Sequence, residues 1–447
     1  MNLAAYQEEL LTKAKEAGFS EAEVYYQKAE LFRCSIFEGE IDHYETSEEA
    51  GLGFRGLYNG KMGYSYTEKL DEESVSYLIE QAAANAEVLD EDDGTTIFEG
   101  SSSYTTHSYV NEELENIEIS TYIDFLKKLE KNILSYDPRI ITLDYCMLQS
   151  QLQERQLANS KGLALDDKLN GIGLHVSAVV RDGEETKTGS VVKITRDSAV
   201  MDADKLAKEI AEEALSYLGE QSVPSGKYPI ILRKDASAPL LAVYSEIFSA
   251  ENTQKDQSLL KGKVGEIIAS EAFTLIDDPF HPLAFGGSTF DGEGVATKNH
   301  SVIEDGKLKI LFHNRKTAKV EGCETTGHAQ KPSYKSTLSI APQNLYVAPS
   351  EKSLEQLIQG LTKGILITGL SGLHSGTNTI SGDFSVAATG FYIEDGKVSF
   401  PIKQMTIAGN FFDYMKNVKA TASDLEFSFY GVGSPSLLVE GLSVTVE

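Results

Sequence analysis

Leu3, Tyr6, Leu10, Leu11 and Ala14 recur at helical spacing and stop at Gly18, which predicts an amphipathic first helix. Phe32, Cys34 and Ile36 then alternate with polar residues. Asn59-Gly60 supplies the positive φ angles of a tight hairpin, so short strands are expected over residues 23–66. Asp71 stands where a helix needs an N-cap, ahead of an apolar stripe of Val75, Leu78, Ile79, Ala82 and Ala86. The order then returns. Tyr122, Leu126, Leu129 and Ile133 mark a helix that stops before Pro138, and strands follow over 140–195, with Leu174, Val176, Ala178 and Val180 alternating and a hairpin at Asp182-Gly183. Asp202 caps a last helix with Leu206, Ile210, Ala214 and Leu218 on one face. Helix, antiparallel strands and helix, twice over, read as a duplicated α+β unit or as one sheet built from two halves.

Residues 221–226, Gln-Ser-Val-Pro-Ser-Gly, are the best linker candidate and place a boundary between an N-terminal domain (1–222) and a C-terminal domain (223–447). Beyond it the chain turns Gly-rich and β-rich, with Asp-Gly hairpins at Asp305-Gly306 and Asp395-Gly396. One helix is expected with Ser237 as cap, Pro239 in its first turn and Leu240, Leu241, Tyr244, Ile247 and Phe248 facing inward; shorter ones are expected over 353–360 and 410–418. The fold class is therefore α+β: a mixed helix and antiparallel-sheet domain followed by a mostly antiparallel β-rich domain.

Charge narrows the partners. Forty Lys and Arg stand against 68 Asp and Glu, a net −28, and no basic patch reverses that field, which argues against direct nucleic-acid or anionic-membrane binding. The six acids Glu87, Asp90, Glu91, Asp92, Asp93 and Glu99 read as a solvated connecting loop, because they lack the alternating ligands of a calcium loop. Cys34, Cys146 and Cys323 are far apart and odd in number, so a reducing compartment fits best. Neither a signal-peptide pattern nor a run of about 18 apolar residues occurs, and a cytoplasmic location is expected.

Several chemical motifs fail on context. Gly51-Leu52-Gly53-Phe54-Arg55-Gly56 fits G-x-G-x-x-G but runs into the Asn59-Gly60 hairpin instead of opening a helix, so no dinucleotide site follows. Ser258-Leu259-Leu260-Lys261 and Lys187-Thr188-Gly189 match penicillin-recognising motifs in the wrong order. No two of the eight histidines lie one helical turn apart, as a zinc-hydrolase helix requires, and His175 reads as a sheet residue on the face opposite Leu174 and Val176. Asp277, Asp278, His281, Asp291 and Glu293 have the donors for a cation or an acid–base pair, while Asp-Asp-Pro and Asp-Gly also make turns on their own, the favoured reading. Residues 369–385 form a Gly-rich, small-polar loop in which His374, Ser375, Gly376, Asn378, Gly382 and Asp383 make a candidate peptide-binding loop rather than a nucleophilic triad, with a purely structural turn the equal alternative because Gly and Ser dominate turns.

At that loop the chain resembles the TldD/PmbA family, also called modulators of DNA gyrase, and within it the PmbA (TldE) branch. The resemblance is carried by Gln254-Lys255, Ser258-Leu259-Leu260, Gly262-Lys263-Val264-Gly265-Glu266, Asp277-Asp278-Pro279 and Phe290-Asp291-Gly292-Glu293-Gly294-Val295, then by the 369–378 loop, Ser381-Gly382-Asp383-Phe384-Ser385, Thr406-Ile407-Ala408-Gly409-Asn410 and Gly433-Ser434-Pro435-Ser436 with the residues after it. It implies a cytoplasmic metalloprotease assembly acting on unfolded or leader-bearing peptides as a dimer. In the TldD branch a helix carries H-E-x-x-x-H, and a late cysteine completes the zinc site. Here the matching 240–251 segment has Tyr244, Ser245, Ile247 and Phe248 in its middle, keeps only Glu246 and Glu251, and no cysteine follows Cys323. The resemblance therefore implies a subunit without a metal or cofactor of its own and without catalytic residues, zinc being supplied by a TldD-type homologue in a heterodimer. A homodimeric peptide-binding or chaperone-like module is the alternative. A divergent hydrolase using the Asp277–Glu293 acids ranks last. Any effect on gyrase is expected to run through a processed peptide rather than through DNA.

Overall fold

Asn2 accepts the Ala5 amide at 2.9 Å and opens helix α1 (Leu3–Glu16). Strands β1 (Phe19–Phe37), β2 (Glu40–Tyr58) and β3 (Lys61–Thr67) follow, and the Asp71–Ser74 capping box starts α2 (Glu72–Glu87). The second repeat runs α3 (Ile119–Tyr136), β4 (Ile140–Asn159), β5 (Ala164–Asp182), β6 (Glu185–Thr195) and α4 (Ala203–Ser216), the last capped by Asp202. This computed structural model describes residues 2–89, 94–428 and 431–446. Asp90, Glu91, Asp92 and Asp93 of the acidic run lie outside them. The part that follows is not a solvated loop: Ile97 is fully buried, and its amide donates to Glu21 Oε2 at 2.7 Å.

The two repeats share one six-stranded antiparallel sheet in the order β3-β2-β1-β4-β5-β6. Their first strands meet at its centre, in register from Glu23↔Asn159 to Ser35↔Met147. The same helix–strand contact closes each half. A Cβ on Gly63 of β3 would stand 1.9 Å from the Ala82 carbonyl of α2, and one on Gly189 of β6 would stand 2.4 Å from Ala214 Cα of α4. Helices α1 and α2 bury Tyr6, Leu10, Val75 and Leu78 against Val24, Leu52 and Phe54, whereas α3 and α4 bury Leu126, Leu129 and Ile210 against Cys34, Leu148 and Val176.

The opposite face of the sheet meets the C-terminal half through Tyr25, Leu157, Phe290 and Tyr334. That half holds a second six-stranded sheet and a larger one built on Ile230–Leu232, Lys363–Ser371, Asp383–Glu394 and Met405–Asn410, with a single core between them. Most pairings are antiparallel. Ile230–Leu232 with Lys363–Ser371, and Leu345–Val347 with Val432–Ser434, are parallel. The expected 240–251 helix differs from the sequence reading. Helix α5 spans Lys234–Tyr244 with Arg233 at its N-cap, gives way to a 3₁₀ turn at Ser245–Phe248, and resumes at Ala250–Gln254. Ser237 is not the cap; it sits inside the helix and shares a 2.7 Å hydrogen bond with Ser434. No helix among the described residues is long and apolar enough to cross a membrane.

Candidate functional site

A cleft of about 1230 Å³ opens between β6 and α4 on one side and the C-terminal half on the other. Glu213 on α4 and Tyr217 at its C-cap stand one turn apart, so both project across it. Glu213 takes Arg233 in two parallel bonds of 2.7 and 3.0 Å and accepts the Tyr217 hydroxyl at 2.8 Å. That hydroxyl also meets Thr368 Oγ1 at 2.7 Å, and the Tyr217 ring stacks on Phe391. Glu426 joins Lys193 of β6, at 3.5 Å, to Lys234 of α5. Burial works against the Glu213 anion, yet the Arg233 guanidinium outweighs it and holds the carboxyl below its ordinary range. Asp235 moves the other way, raised by burial and by the neighbouring Glu426 and Glu213 charges.

Gly369 and Ser371 bring the base of the Gly-rich loop to this cleft. The loop is closed on itself. Gly376 N donates to Gly372 O at 2.8 Å, Ser385 N to Gly376 O at 2.7 Å, and Asn378 Oδ1 accepts the amides of Ile380 and Ser381. Asp383 accepts from Ser381 Oγ and Asn410 Nδ2, both at 2.9 Å, and Ser375 Oγ points to the Gly372 carbonyl. His374, Ser375 and Asp383 therefore form no relay, and the exposed residues of the loop include His374, Ser375, Asn378, Ile380 and Asp383. Gly382 needs its positive φ of 85°, and a Cβ there would stand 2.6 Å from the Phe412 ring. Tyr244 of α5 anchors the loop, its hydroxyl donating to Asp383 O at 2.8 Å while its ring stacks on Phe411 at 4.3 Å.

The four acids and one histidine of the 277–293 stretch serve separate tasks. Asp277 is fully buried, accepts the amides of Gln343 and Asn344 at 2.9 Å, and meets His328 Nε2 at 3.0 Å. Asp278 accepts the Phe280 amide, and the His281 ring lies against Tyr346 and Phe427. Asp291 accepts the amides of Glu293, Val295 and Ala329, while Glu293 accepts that of Arg315. Among the described residues no three His, Cys, Asp or Glu side chains converge as metal ligands. The turn reading covers Asp278 and Asp291; the Asp277–His328 pair, fifty-one residues apart in sequence, has no local signal that could have found it. Behind it, Thr326 meets His328 Nδ1 through its hydroxyl at 2.8 Å and His300 Nε2 through its carbonyl at 2.9 Å, and burial pushes the His300 imidazole down to about 4.

A zinc ion does not fit the α5 segment. Tyr244 and Phe248 fill its inward face with aromatic rings, Glu246 is exposed, and Glu251 pairs with Lys255 at 2.6 Å. Neither imidazole nor thiolate is present there.

Comparison with known proteins places this geometry. Residues 22–86, 112–218 and 225–446 match, in turn, the models for PmbA/TldA metallopeptidase domain 1, its central domain and its C-terminal domain. A Thermotoga maritima crystal structure, described as a proposed modulator of a DNA gyrase, is 31% identical and superposes with a TM-score of 0.92 over 99% of this chain and 100% of that one. TldE from Thermococcus kodakarensis is 25% identical, with a TM-score of 0.90 over 98% and 100%. A Haemophilus influenzae metalloprotease PmbA homologue is 24% identical across 98% of this chain and 94% of its own. With all three of its domains matched in order and one full-length fold shared, the chain belongs to the PmbA/TldD metallopeptidase family.

Proposed function

We propose that this chain is the PmbA/TldE-type subunit of a TldD-type metallopeptidase that acts on unfolded or leader-bearing peptides in the cytoplasm. In this reading a TldD-type homologue brings the zinc, and the chain shapes the peptide path with its interdomain cleft and its Gly-rich loop. One observation carries the reading. Tyr244, in the segment where a TldD-type chain has its histidines, ties the loop to α5 and stacks on Phe411, so that place has a structural occupant of its own. The cleft and the exposed His374, Ser375 and Asn378 supply surface for a peptide without a reacting group. Native mass spectrometry with metal analysis tests the idea on this chain mixed with a zinc-bearing homologue. The expected result is a one-to-one heterodimer whose zinc belongs to the homologue, with cleavage of a leader-bearing peptide only in the mixture. Cleavage by this chain alone with stoichiometric zinc would overturn the assignment.

A further inference from the structure

On the helix-bearing face of the sheet, where Glu30 pairs with Leu152 and the two repeats meet, the helices leave a groove of about 660 Å³. Its apolar lining comes from Phe32, Leu114, Ile117, Ile119, Tyr122 and Leu152. Ile119, at the start of α3, is 38% exposed. Tyr122 is only 3% exposed, so its ring closes the floor of the groove while its hydroxyl lies inward, beside Ser150. Glu30, Glu48 and Glu115 stand along the same groove. The lysines that meet them are already held: Lys28 by Glu30 and Glu48 at 2.7 and 3.2 Å, Lys168 by Glu115 and Glu154 at 2.8 and 3.5 Å. The three carboxylates of the groove thus share two ammonium groups, one of which also holds Glu154 outside it, and the rim keeps a negative excess.

From these features we infer that the groove is a docking site for an amphipathic, basic helical segment of a partner protein. The flanking layer on this face consists of helices, so an occupant at the same depth is itself a helix, about 10–12 Å across. Its apolar stripe covers Ile119 and Phe32, and its Lys or Arg residues meet the carboxylate rim. This site is separate from the interdomain cleft, and binding to it requires neither zinc nor peptide cleavage.

The probe is a labelled peptide of about fourteen residues with Leu at i, i+3, i+4 and i+7 and Lys elsewhere, titrated by fluorescence anisotropy into the intact chain at about 0.15 M salt. Saturable binding is expected, with hydrogen-exchange protection at 30–32, 46–48 and 114–122. The triple variant Glu30→Lys, Glu48→Lys, Glu115→Lys is expected to weaken binding at least tenfold, and Ile119→Ser a few-fold. Should the triple variant fail to fold, Glu48→Lys alone, at a side chain 63% exposed, carries the charge test with a smaller loss. Equal binding of a peptide of the same composition shuffled to remove its apolar face would overturn the inference, as would protection elsewhere on this acidic chain.

Discussion

Gly51 and Gly53 fill the first two places of the G-x-G-x-x-G run, but what they meet is Tyr334. A Cβ on Gly51 would stand 2.2 Å from the Tyr334 ring, and one on Gly53 would stand 2.3 Å from its carbonyl oxygen. The glycines let the sheet lie directly on the C-terminal half, and the contact is backbone against backbone at Gly53. Gly53→Ala is accordingly expected to lower stability by about 1–3 kcal/mol through overpacking, read as a drop in the urea midpoint at unchanged slope. Close by, Lys331 is buried over the Tyr25 ring, and desolvation, reinforced by the Arg55 charge, pushes its amine down to about 8. The sign follows from linkage: the unfolded chain holds this proton more tightly, so the group's contribution becomes more favourable as pH rises from about 8 towards its ordinary value. Lys331→Met should be more stable than the parent at pH 7, by up to about 3 kcal/mol, with the gap closing by pH 10 in paired denaturation curves. None of this was legible in sequence. The strand register that sets Glu23 against Arg55, a fully buried 2.7 Å ion pair, also decides which neighbours Lys331 has, and register is a tertiary property.

Elements are far more legible in the sequence than contacts. The stripes of α1 to α4, the caps Asp71 and Asp202, and the hairpins at Asn59-Gly60, Asp305-Gly306 and Asp395-Gly396 stand where periodicity and turn chemistry put them, because each is decided within a few residues. The α5 region failed for the same reason in reverse. Ser237 and Pro239 are good helix-start residues locally, yet the helix begins earlier, since the amides of Ala236 and Ser237 close on the Arg233 carbonyl and Arg233 itself is placed by Glu213 of another element. The repeat makes its own prediction at this scale. Gly63→Ala and Gly189→Ala remove equivalent helix–strand approaches in the two halves, so each should cost about 1–3 kcal/mol or more. Near-equal shifts in the unfolding midpoint would match the shared architecture, and a neutral effect in either half would contradict it.

For the whole molecule, the seam at the cleft is held by a few polar clamps rather than by a continuous apolar surface. Glu213, Arg233, Tyr217 and Thr368 tie α4 to the C-terminal half. Glu213→Gln puts a neutral amide in place of one of the two carboxylates that meet the largely buried Arg233, Asp235 remaining, and should cost about 1–3 kcal/mol, measured by chemical denaturation at pH 7. Because the folded carboxyl titrates below its ordinary range, this contribution is present above that range and is lost as pH falls through it. The difference between parent and variant should therefore shrink in acid. The candidate loop was legible as a loop because Gly and Ser dominate residues 369–385; its closure by Tyr244 and Asn410 was not, since both arrive from distant segments.

The pairing of β1 with β4 has a consequence for dissection. The boundary between the first two family-matched regions falls between residues 86 and 112, but thirteen residue pairs of one ladder cross it. A fragment cut there would present a long, bare strand margin to its neighbours in solution, so the two regions, though each answers to its own family model, are bound to fold, and to fail, together.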